Sequence, residues 1–128
     1  MNRLIAFAVA SALLTTGAFA QTVSDDVTKQ LWCGTALSVA FGNPPEGVTE
    51  EQLAQAQSFI DGGAVLTDNA TQAHLDAGFT QEAVDKVKAD LLAEVTPVVT
   101  GTGEGARYSF EDCIALLPPP GDAAPSAQ

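Results

Sequence analysis

The sequence predicts an all-α fold: a small disulfide-linked bundle of about four helices behind a cleaved signal peptide. Three observations predict it. Apolar side chains recur at helical spacing through three long segments. Serine, threonine and acidic residues stand where helices must start, and glycine and proline stand where they must stop. Two cysteines, Cys33 and Cys113, lie near opposite ends of the expected domain.

Met1-Asn2-Arg3 is a short basic start, followed by an apolar run from Leu4 to Leu14 and by Ala18-Phe19-Ala20 before Gln21. Basic start, apolar centre and small residues at −3 and −1 of the cut are the three parts of a secretory signal. The apolar run is shorter than the ~20 residues a helix needs to cross a bilayer. The expected organisation is therefore residues 1–20 as signal peptide, 21–117 as a helical domain and 118–128 as a disordered Pro/Ala-rich tail. No membrane insertion is expected after cleavage, and the location is periplasmic or secreted.

Ser24 caps a first helix whose opening turn carries Asp25 and Asp26, and which runs to about Phe41. Cys33, Leu37 and Phe41 recur at i, i+4 and i+8. Its second half, Cys33 to Phe41, has no charge on any face, which predicts a central helix. Gly34 and its small neighbours permit close helix approach. Gly42 to Gly47, with Pro44 and Pro45 inside, stops it.

Thr49-Glu50-Glu51-Gln52 has the spacing of a capping box. Leu53, Ala56, Ile60, Gly63, Ala64 and Thr67 form the expected stripe of a second helix. Gly62 and Gly63 weaken it by ~1 kcal/mol each relative to alanine. Continuation through them to about Ala77, with Gly78 as cap, is the reading adopted, and the glycines then serve tight packing.

Thr80 caps a third helix with the stripe Val84, Val87, Leu91, Val95 and Val98. Lys86, Lys88, Asp90 and Glu94 lie largely off that stripe. Val95 to Thr100 is β-branched and is the one stretch that suits extended backbone. Ser109 caps a short last helix with Glu111 and Asp112 in its first turn, and Phe110, Cys113, Ile114 and Leu117 form its apolar side. Pro118 to Pro120 forbids continuation.

After signal removal, four Lys/Arg (Lys29, Lys86, Lys88, Arg107) stand against sixteen Asp/Glu, a formal charge of −12. That surface repels phosphate backbones and anionic lipid, so no nucleic-acid binding is expected. In an exported chain two cysteines allow one intrachain connectivity, Cys33–Cys113.

His74 is the only histidine. It is read as a surface or cap residue, because no nucleophile is identifiable beside it. Asp61, Asp68, Asp76, Glu82 and Asp85 lack the ligand spacing of a calcium loop and read as a solvated face. No catalytic residue, cofactor or metal site is assigned. Trp32, Tyr108 and Phe110 are read first as core packing and, if exposed, as contact anchors; Trp32 and Tyr108 are the candidate contact residues.

Leu31-Trp32-Cys33-Gly34 on the first helix, paired with Tyr108-Ser109-Phe110-Glu111-Asp112-Cys113 near the end, resembles a group of small uncharacterised bacterial exported helical proteins. The pattern is also similar to periplasmic acid-stress chaperones of the HdeA type, which are small helical domains with a Trp near the first Cys and one disulfide. Here Trp and Cys are adjacent, the cysteines are further apart and lysine is scarce, so no residue role is carried over.

The expected function is that of a non-enzymatic small periplasmic protein acting by binding to a protein partner. The alternative is an acid- or stress-activated holdase chaperone. Below about pH 3 most carboxylates are neutral and the charge swings to about +6, and a thin core can then loosen.

Overall fold

The computed structural model of the protein describes residues 21–119. The expected signal peptide, and the expected tail beyond Pro119, lie outside the described residues. Four helices follow one another: α1 (Asp25–Phe41), α2 (Glu50–Asp76), α3 (Gln81–Thr100) and α4 (Phe110–Ile114). Among the described residues there is no strand, and no helix is long and apolar enough to cross a membrane.

Each helix starts where a side-chain oxygen can take up an orphan backbone N–H. Ser24 Oγ accepts from Val27 N, and Thr80 Oγ1 accepts from Ala83 N at 3.2 Å. Thr49 and Gln52 form a reciprocal box, with Gln52 N donating to Thr49 Oγ1 and Thr49 N donating to Gln52 Oε1. Ser109 and Asp112 repeat that box at α4. At the other end of α2 the cap is Ala77. Gly78 follows at φ +92°, the left-handed conformation that glycine adopts without a Cβ clash. Gly78 N then donates to Leu75 O and Phe79 N to His74 O, the paired bonds of a Schellman motif.

The segment from Val95 to Thr100, which suited extended backbone by composition, is the end of α3. Val95 is fully buried, and tertiary burial of that face outweighs a propensity difference of a few tenths of a kcal/mol per residue. Pro97 sits inside the helix on its exposed side. There the missing N–H deprives only the Ala93 carbonyl of its helical donor.

The core is built on α1. Leu31, Trp32, Cys33, Ala36 and Leu37 are buried together with Leu66 and Ala70 of α2, Leu91 and Val95 of α3, and Cys113. α1 packs against all three other helices, whereas α2 and α3, although joined by the turn Ala77–Thr80, touch each other little. The charge-free half of α1 is thus central from Cys33 to Leu37, where other elements cover it, while Ser38 and Ala40 in its last turn are exposed.

The α1–α2 crossing runs through glycine on both sides. A Cβ on Gly34 would stand 2.3 Å from Thr67 Oγ1 and 2.6 Å from Gly63 O, and one on Gly63 would stand 3.0 Å from Gly34 O. α2 passes unbroken through Gly62 and Gly63. This contact also rotates α2. Its buried row is Gly62, Gly63, Leu66, Ala70 and His74, about one residue step of 100° round from the expected stripe. Leu53, the first large residue of that stripe, is 41% exposed. The larger side chains lose the inner face because only a hydrogen atom fits where the backbones meet.

Candidate functional site

Cys33 of α1 and Cys113 of α4 are disulfide-bonded, with sulfurs 2.02 Å apart and Cα atoms 5.1 Å apart. Both are buried. The bond pins a helix of only five residues to the central one. A second tie lies beside it: Lys29 Nζ of α1 donates to Asp112 Oδ1 at 3.1 Å. Asp112 Oδ2 also accepts from Ser109 Oγ at 2.8 Å and Ser109 N at 3.3 Å. The Ser109 hydroxyl first, and the Lys29 ammonium next, hold the Asp112 carboxyl below the usual carboxylate range. Lys29 Nζ further lies 5.5 Å from the centre of the Tyr108 ring.

Trp32 is 3% exposed and belongs to the core; it is not available as a surface anchor. Its indole N–H needs a partner once buried, and finds Glu94 Oε1 of α3 at 3.1 Å. The second oxygen of that carboxylate accepts from Arg107 at 2.7 Å. Tyr108, half-buried, meets Trp32 edge-on with centroids 5.5 Å apart. Glu94 therefore ties α1, α3 and the loop before α4 at one point.

His74, expected at the surface or at a helix cap, is 3% exposed and sits in the terminal motif of α2, where Phe79 N donates to its carbonyl. Nδ1 lies 2.7 Å from Ala70 O, which as a carbonyl only accepts, so that nitrogen carries the proton. The ring meets Phe79 edge-on at 5.1 Å. His74 and Phe79 are the two positions whose side chains touch across a Schellman turn, which gives this histidine a packing role at the end of α2.

The surface feature that stands out is built on Phe110, for which the sequence leaves both core packing and an exposed anchor open. Phe110, the first residue of α4, is 48% exposed, and Ile114 one turn on is also exposed. Phe110 rests on Phe59 of α2 (5.7 Å between centroids) and Phe41 of α1 (6.1 Å), which stack on each other at 4.7 Å. On one side of Phe110 is an apolar hollow of about 160 Å³, floored by Trp32, Leu37, Val98 and Tyr108. On the other is one of about 450 Å³, walled by Phe41, Pro44, Pro45, Val48 and Phe59. Beyond Phe59 a third hollow, lined by Gly62, Ile114 and Leu117, carries the strip onward. Three helices distant in sequence contribute one ring each, so no local pattern announces the cluster. The shortness of α4 is a signal in the sequence, since five residues bury little of an apolar row.

Chemically the strip offers dispersion contact and apolar burial. Its polar lining includes Gln52, Gln55 and Ser109, which donate and accept hydrogen bonds, and in the third hollow Asp61, whose Oδ1 accepts from Gln57 Nε2 at 2.8 Å. Among the described residues no group of three or more His, Cys, Asp or Glu is placed to hold a metal ion. Comparison with protein families, with curated proteins and with solved structures finds no match.

Proposed function

We propose that this is a non-enzymatic binding protein of the bacterial envelope, acting through the apolar strip that Phe110 divides. The observation that carries the reading is Phe110 itself. A large aromatic ring is held half out of the surface, on a helix fixed by a disulfide and an ion pair, between two apolar hollows. A rigid aromatic beside a pocket is the usual form of a binding anchor, because little side-chain entropy remains to be lost on contact. The disulfide supports a location outside the cytoplasm, where such bonds persist.

Incorporation of a photo-crosslinking amino acid at Phe110, and separately at the exposed Leu92 of α3, tests this in the cell that makes the protein. A discrete adduct from position 110 and none from position 92 is the expected result. Equal adducts from both positions, or none from 110, overturn the reading.

An acid-activated holdase is a second reading, and Asp112 is the observation that favours it. Protonating that carboxyl removes the negative charge that pairs with Lys29 and that strengthens the acceptor role of Asp112 in the α4 capping box. α4 then keeps the disulfide but loses its ion pair, which weakens the hold on the ring cluster. Suppression of client aggregation at pH 2–3 and not at pH 7 is expected on this reading, and no suppression at any pH removes it.

A further inference from the structure

We infer that the partner presented to the Phe110 strip is a cationic amphipathic protein segment, its apolar side chains seated in the hollows and its Lys or Arg residues meeting nearby carboxylates. The inference rests on the binding reading above and specifies the partner's chemistry.

The argument is from charge placement. None of the four described cations lines the hollows beside Phe110. Lys29 is paired with Asp112, Lys86 with Asp90 and Arg107 with Glu94. Lys88 lies in a separate hollow, with Leu92 and Thr67. Carboxylates, by contrast, are present: Asp61 lines the third hollow, and three more are exposed chain neighbours of lining residues. Glu46 follows Pro45, Glu51 precedes Gln52 and Glu111 follows Phe110, and all three are exposed. Among the described residues none of the three is in an ion pair. A partner that carries apolar side chains with acidic flanks would meet repulsion here, whereas basic flanks gain attraction and a faster encounter. A bilayer surface is the poorer occupant, because anionic headgroups meet the same carboxylates and a formal charge of −11 over the whole chain. A second copy of this chain brings like charge to like.

The test uses the oxidised mature protein and three probes: a helical peptide of leucine and lysine, its leucine–glutamate counterpart, and vesicles containing phosphatidylglycerol. The leucine–lysine peptide is expected to bind, and to weaken several-fold as salt rises from about 20 to about 200 mM, since screening shortens the reach of surface charge. Phe110→Ala is expected to weaken it about tenfold or more, as for an anchor side chain. Each of Glu46→Gln, Glu51→Gln and Glu111→Gln is expected to weaken it about threefold, within the range of exposed ion pairs. Leu92→Ala should leave it unchanged, and unaltered melting of every variant confirms the fold.

Equal binding of the two peptides, no loss in the glutamine variants, or preference for vesicles over peptide each overturns the inference. If position 110 still yields its discrete adduct in the cell, binding at the strip stands and only the partner's charge is refuted. If that adduct is missing too, both readings fall.

Discussion

The carbonyl oxygen of Gly34 lies 3.0 Å from the point where a Cβ on Gly63 would stand. Two helix backbones meet there with nothing but hydrogen atoms between them. The contact orients α2 against α1 and thereby decides which of its residues face the core.

Alanine at the two crossing glycines, Gly34 and Gly63, and at the neighbouring Gly62 should separate steric cost from helix propensity. Each replacement gains up to ~1 kcal/mol of propensity. At Gly34 the added methyl meets the Gly63 carbonyl at 2.6 Å and Thr67 Oγ1 at 2.3 Å, and the Gly63 backbone cannot swing aside. A net loss of about 2–4 kcal/mol is expected, in the range of overpacked cores. Gly63→Ala should cost less, its contacts being 3.0 and 3.1 Å. Gly62→Ala should be near neutral, because its nearest neighbour is the flexible tip of Leu117. Urea unfolding of the three variants checks the order, and a loss at Gly62 equal to that at Gly34 refutes it.

Reduction should destabilise the fold strongly. The bond joins residues 80 apart in sequence, and the chain-entropy model gives about 4.5 kcal/mol for a loop of that length. Against a typical total of ~5–15 kcal/mol that is a large share. Thermal melts with and without a reductant, and of Cys33→Ala with Cys113→Ala, should show a large fall in midpoint. Equal midpoints would show that the core alone holds α4.

Glu94→Ala should cost more than Arg107→Ala. The first leaves the indole N–H of buried Trp32 without its acceptor, worth about 1–3 kcal/mol. The second breaks a half-exposed ion pair of ~0–1 kcal/mol. Glu94→Gln keeps an acceptor for the indole and should fall between them. Denaturant midpoints give the order, and a shift of the emission of Trp32, the only tryptophan, reports the lost hydrogen bond.

Acid should remove the contribution of Asp112. Its carboxyl is held below the usual value by Ser109 and then Lys29, so the folded state binds this proton less readily than the unfolded state does. The stabilisation is therefore fully present above the ordinary carboxylate range of about pH 4 and is lost as pH falls through the lower folded value. Wild type should exceed Asp112→Asn in stability at pH 7, and the gap should narrow towards pH 2–3. A gap that persists unchanged at pH 2 would assign the effect to hydrogen bonding rather than to charge.

The export signal, the helix starts and stops, the disulfide pairing and the all-α class were argued from the chain alone. The last three meet their counterparts in the fold, and for a local reason. A cap needs an oxygen three residues from an orphan N–H, as Thr49–Gln52 and Ser109–Asp112 show. The stop of α2 uses a residue that accepts positive φ, Gly78. Two cysteines permit one pairing. Only the tertiary structure decided which face of each helix is inside. Leu53 turns out and Gly63 turns in because α1 leaves no room for a side chain at the crossing. Trp32 is enclosed by Tyr108 and Glu94, which lie far along the chain, while Phe110 is left half bare because α4 is too short to wrap it. Burial depends on what arrives from elsewhere in the chain, and periodicity within one helix records only that some face will be covered.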